Sequence, residues 1–323
     1  MSMKLPILTA ATLVAVFAEL LPAADPQLLN LVMPDAKVLA GVNVDQAKTS
    51  PLGQYLLTQA QTQDQHLQQI VTLTGFDPTR DIHELLFAST GAPGGPNGLA
   101  LARGTFDAAR IQALAQTAGA TSEVYKDITI LEDPKQTHGA AFLDGKLAVA
   151  GDIASVKGAI DRQTLAAPLP AAVIVQVNQW SSTEDAWVVV TVPPSSLHPP
   201  AGVPGAPAGA PAAMQNALQS IQQSAGGVKF GTQIVVTGQA QTDTAANATS
   251  LAGVGQFLVS LAQMQAQQKN PQLAAVLPSL TVTASGNSVN VSLSVPETVV
   301  EQAVKAGPKA APQSIQRGTR RRL

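Results

Sequence analysis

Few residues in this 323-residue chain could do chemistry, and none of them is a cysteine. The four histidines, His66, His83, His138 and His198, are scattered one to a segment. His83-Glu84 is followed at the i+4 position by Phe87, where a zinc-protease helix needs its second histidine. The histidines therefore read as solvated loop or helix residues, and no metal ligand set is assigned. Ser196 and His198 share a proline-rich stretch that could not hold catalytic geometry, and no G-x-S-x-G elbow is present. The glycine runs Gly91–Gly98 and Gly202–Gly209 lack the lysine and following helix of a phosphate loop. One polar group remains, Asp77, Arg80 and Asp81 in GFDPTRDI. Against a site there, Asp77-Pro78 is a turn initiator and Arg80 can pair locally at the surface, an interaction worth under about 1 kcal/mol. The turn is the favoured reading. No catalytic, cofactor-binding or metal-binding residue is assigned, and no cofactor is expected.

Composition narrows the function classes. The formal net charge is −2, so the body of the chain offers no basic field for nucleic acid. Only 12% of residues are charged, about half the usual share, which argues against ionisable groups converging in a catalytic cleft. The C-terminal Arg317, Arg320, Arg321 and Arg322 could touch an anionic surface at about 1 kcal/mol each, a weak and salt-sensitive contact. A tail that only solubilises explains them equally well.

The elements that would position any site show a recurring plan. Gly139–Arg162 reads as strand, turn, strand and helix, with Asp144-Gly145 predicted as a two-residue hairpin turn at positive φ and Asp152 as the helix N-cap. Leu280–Lys305 repeats the plan through Ser285-Gly286-Asn287, with apolar residues alternating strictly from Leu280 to Val295. Ala36–Val44 matches Ala186–Val192, and Gly98–Gly104 with its helix from Asp107 matches Gln233–Ala240 with a helix from about Asp243. The offset of about 142 to 150 residues is one domain in length. Ser50-Pro51 starts a helix that Gly75 ends. Ile82–Phe87 reads as a strand, and Lys126-Asp127 as the bend of a short hairpin. Val173, Val177 and Trp180 fit one helical face, the favoured reading, although the β-branched run Val173–Val175 also suits a strand. Met214, Leu218 and Ile221 predict a helix stopped by Gly226-Gly227. The helix from Thr244 would bury Leu251, Val254, Leu258 and Leu261.

Four stretches carry a resemblance: Asp35–Val44 with the Ser50-Pro51 helix start, GFDPTRDI, GLALARGTFD, and FLDGKLAVAGDIASVKGAID. In these the chain resembles a group of uncharacterised exported bacterial proteins. The resemblance covers about residues 34–165 well and the second half loosely. It implies a fold and an exported setting, and it brings no activity and no catalytic residue.

The expected organisation is a signal peptide at 1–24, a first α+β domain at 25–165, a second at 166–306 with a Pro/Gly/Ala-rich loop at 193–213, and a disordered basic tail at 307–323. In the signal, Lys4 is the basic start and Leu5–Phe17 the apolar run, with cleavage after Ala18 or near Ala24. After cleavage no transmembrane helix is expected. The fold class is α+β: two similar domains, each an antiparallel sheet with helices packed on one face. The first functional reading is an exported non-catalytic protein of the periplasm or cell envelope that binds a protein or surface partner. An alternative is a carrier of an apolar small molecule held between sheet and helices, and a second alternative is a hydrolase with an unrecognised site.

Overall fold

The computed structural model describes residues 24–63, 68, 71–72, 74–91, 98–165, 169–193, 218–269 and 271–306. The signal peptide apart from Ala24, nearly all of the proline loop and the arginine tail lie outside the described residues.

The chain is α+β, built on a large antiparallel sheet. Its strands are β1 (Val38–Asn43), β2 (Ile82–Ser89), β3 (Gly98–Gly104), β4 (Thr121–Tyr125), β5 (Ile128–Glu132), β6 (His138–Phe142), β7 (Leu147–Asp152), β8 (Ala186–Val190), β9 (Ile221–Lys229), β10 (Gln233–Thr242), β11 (Thr281–Ser285) and β12 (Ser288–Pro296). They form one 12-stranded sheet in the order β11-β12-β10-β9-β8-β1-β2-β3-β7-β6-β5-β4. The expectation of a separate sheet in each half is thereby corrected. The first strands of the two halves, β1 and β8, pair antiparallel and close what would otherwise be two exposed edges.

Local chemistry explains the helix starts. In α1 (Pro26–Leu31), α2 (Val44–Thr49), α3 (Pro51–Gln63) and α4 (Pro78–Asp81), an Asp, Asn or Ser side chain accepts an amide of the first turn. Asp107 caps α5 (Ala108–Thr117), and Asp152 caps α6 (Ile153–Arg162). Downstream lie α7 (Ala171–Ser181), the 25-residue α8 (Ala245–Lys269), α9 (Pro271–Val276) and α10 (Glu297–Ala306).

The helices lie on both faces of the sheet, not on one as expected. Leu39, Leu86, Leu101, Val149, Trp187 and Val189 point to one face, where they form the main core with Leu28, Val32, Val156, Ile160, Val177 and Trp180 of α1, α6, α7 and the α1–β1 connection. The opposite face carries Phe142, whose ring meets Phe106 at 5.4 Å just before α5, and Phe106 in turn meets Phe76 at 5.6 Å. Further along that face α8 packs Ala248 and Ala252 on Val289 of β12. Strands with apolar residues on both faces need cover on both, which a one-faced α+β layer could not supply.

Three local expectations are corrected. The chain from Ile221 is strand β9, not the end of a helix, and Gly226 and Gly227 sit inside it opposite Gly238 and Thr237. A Cβ on Gly227 would stand 2.4 Å from the side chain of Glu184, so close approach between neighbours accounts for this glycine, not chain termination. The β6–β7 connection is also not a two-residue turn at positive φ. It closes at Leu143–Leu147, and the Asp144 carboxylate accepts the Lys146 and Leu147 amides at 2.6 Å each. Helix α8 buries its alanine stripe and leaves Phe257 67% exposed, with Leu258 and Leu261 half-exposed. Gly255 lets that stripe come down on Val282, and Leu251 packs half-buried beside it, while Leu258 and Leu261 turn away from the sheet.

Candidate functional site

Cross-strand register lines up small apolar residues across the face that α5 and α8 share. Reading from neighbour to neighbour, Val188, Ala40, Phe87, Ala100, Ala150, Ala140 and Leu131 stand side by side on β8, β1, β2, β3, β7, β6 and β5. In the other direction the row continues through Gly226, Gly238, Val291 and Val282. Ala100, Ala150 and Ala140 lie together between Phe87 and Leu131, with Ala40 on the far side of Phe87, and leave a trough, because an alanine fills little of the space above its strand. A cavity of about 780 Å³ opens there, floored by Ala40, Phe87, Ala100, Ala150, Ala140 and Leu131 and walled by Ala115 of α5 and Ala120 just beyond it. Phe87 stands 46% exposed in it. At its rim the backbone amide of His138, and then that of Thr137, hold the Asp133 carboxyl below the usual carboxylate range.

A second cleft, of about 580 Å³, gathers ionisable groups: Asp25, Asp45, His83, Glu84 and Arg103. Burial, with the nearby Asp25 charge, pushes the Glu84 carboxyl up, although the Asp25 amide donates to it at 3.1 Å. His83 Nδ1 meets Asp45 at 2.9 Å, and Arg103 pairs with Asp25 while donating to Gln27 Oε1 at 2.6 Å. These groups are spent on one another. The hydroxyl that lines the cleft, on Thr49, donates to the Gln46 carbonyl at 2.7 Å.

Asp77, Arg80 and Asp81 come together within a single turn. Asp77 accepts the Thr79 amide and hydroxyl, and Arg80 grips both Asp81 oxygens at 2.6 and 2.7 Å and the Gly75 carbonyl at 2.9 Å. The Arg80 contact foremost holds the Asp81 carboxyl low. The turn thereby uses the three groups itself. Arg317, Arg320, Arg321 and Arg322 lie outside the described residues. Among the described residues no group of three or more His, Asp or Glu could hold a metal ion, and no helix is long and apolar enough to cross a membrane.

Sequence reasoning missed the trough. The signal was present: Ala40, Ala100, Ala140 and Ala150 each recur at the outward position of an apolar strand, where a bulky or polar residue is usual.

No family model matches the chain, and no curated protein matches it. The solved structure of TP0453, crystal form I, is similar over 88% of this chain and 98% of that one, at 10% identity and a TM-score of 0.51. Crystal form III of the same protein is similar over 86% and 97%, at 8% identity and a TM-score of 0.47. At this identity the first likeness concerns the fold alone.

Proposed function

We propose that this chain is a non-catalytic binding protein whose trough holds an elongated apolar molecule. The observation that carries the reading is the unbroken apolar row under a 780 Å³ cavity, a volume within the roughly 300–1,000 Å³ of ligand pockets. From Ala40 to Leu131 the row crosses five strand-to-strand steps, about 24 Å. A single acyl chain occupies about half of a roughly 30 Å bilayer core, about 15 Å, and fits within that length. The second reading, binding of a protein or surface partner, is supported by Phe257, Leu261 and Met264, which repeat at i, i+4 and i+7 along α8 and are exposed. We place the protein in the periplasm or envelope on the strength of the apolar N-terminal stretch, and read its halves as a duplication. Support for the duplication is the succession β1-β2-β3-β7-β6 mirrored by β8-β9-β10-β12-β11.

Native mass spectrometry of the protein purified from its own cells tests the first reading. An added mass that disappears on denaturation and extracts into organic solvent is expected. A clean apo mass that fails to take up a long-chain fatty acid overturns it and leaves the partner reading to be pursued by crosslinking.

A further inference from the structure

Behind the sheet, on the face opposite the trough, a third cavity of about 510 Å³ lies against α6 and the ends of β2 and β7. Asp35, Lys37, Thr90, Asp152, Ser155 and Arg162 line it. Three buried side-chain polar atoms around this cavity lack a hydrogen-bond partner: Thr90 Oγ1, Asp152 Oδ2 and Arg162 Nη2. Such groups are rare because each forfeits hydration without recovering a bond, so three around one space need a cause. The fold accounts for only half of each charged group. Asp152 is 9% exposed, and its Oδ1 is committed to capping α6 through the Ser155 amide at 2.9 Å, while Oδ2 is left over. Arg162 Nε donates to the Leu31 carbonyl at 2.9 Å, while Nη2 is left over.

We propose that this cavity binds a small zwitterion carrying an ammonium and a carboxylate, the chemistry of an α-amino acid. The guanidinium edge is suited to a carboxylate, and the free Asp152 oxygen accepts from an ammonium. Thr90 can serve either. Two carboxylates and two cations line the walls, so the cavity balances a ligand that is neutral overall. Arg162 folds back along α6, with its Nη1 3.1 Å from where a Cβ on Gly158 would stand, so this mid-helix glycine leaves room for the guanidinium.

Titration calorimetry of the full chain with L-serine, L-serine methyl ester and 3-hydroxypropionate tests the proposal. L-serine should bind saturably, and the two analogues, each lacking one charge, about tenfold or more weakly. Asp152→Asn keeps the N-cap, since Asn caps as well as Asp, yet should lose L-serine by a similar factor with its melting temperature held. Glycerophosphoserine separates the sources: binding tighter than L-serine assigns the site to a lipid headgroup, and binding no tighter assigns it to the free amino acid. No saturable heat with either L-serine or glycerophosphoserine at millimolar concentration, or equal binding by wild type and Asp152→Asn, overturns the proposal. Because the trough lies on the other face, neither result bears on apolar binding.

Discussion

Gly41 of β1 lies directly opposite Trp187 of β8, and a Cβ on Gly41 would stand 2.5 Å from the indole. The missing side chain makes room for the ring exactly where the two halves of the sheet meet. The ring in turn belongs to the main core. Gly41→Ala should therefore cost about 1 to 3 kcal/mol by overpacking, read as a lower urea midpoint with a red-shifted tryptophan emission. An unchanged midpoint would mean that the seam is looser than this pairing requires.

A second tie crosses the same seam. Asp185 is 2% exposed, accepts Lys229 Nζ at 2.8 Å and the Phe230 amide at 2.7 Å, and its carbonyl accepts the Asn43 amide at 2.8 Å. Asp185→Ala strands the lysine and the amide. Because Lys229 keeps about a third of its exposure, the expected loss is about 2 to 3 kcal/mol, below that for a fully buried pair. Chemical denaturation at neutral pH measures it.

Glu84 gives a pH dependence of defined sign. Burial raises its folded pKa above the unfolded value, so its contribution is fully present below the unfolded pKa and is lost as pH rises through the folded one. Glu84→Gln keeps an acceptor for the Asp25 amide without the charge. Denaturation midpoints should show the variant gaining on wild type as pH rises from below the unfolded carboxyl pKa through the raised folded one; a constant difference would contradict the assignment.

The opposite sign holds at Asp161. The hydrogen bond from Lys126 foremost, then that from the Tyr125 hydroxyl, and after it the Lys126 charge hold this carboxyl below its ordinary value. The stabilisation is present above the unfolded pKa and lost as pH falls through the folded one. Asp161→Asn should flatten the acid side of the stability profile while leaving the Glu84 effect unchanged.

The trough can be blocked from its floor. Ala100 is one of the four alanines under the cavity, and Ala100→Trp would place an indole in it without entering the main core. Uptake of a fluorescent fatty acid should fall at least about tenfold, which corresponds to about 1.4 kcal/mol, with little change in melting temperature. Equal uptake would move the apolar site elsewhere.

The sequence by itself determined whatever depends on a few neighbouring residues. Asp107 and Asp152 cap helices as read, because an N-cap needs only a short acceptor beside the first free amides. Lys126 and Asp127 turn the β4–β5 hairpin at φ of 47° and 64°, and Gly75 takes a φ of 72° directly after helical Thr74. The alternating strands and the α+β class were legible for the same reason. Only the tertiary structure decided what depends on partners distant in sequence. Gly226-Gly227 reads locally as a stop, yet pairing on both sides with β8 and β10 holds it extended. The single sheet rests on β1 meeting β8, nearly 150 residues apart, which no local pattern encodes. The trough and the polar cavity behind it share that dependence. An alanine row and three leftover polar atoms acquire meaning only when register and packing bring separate strands and helices side by side.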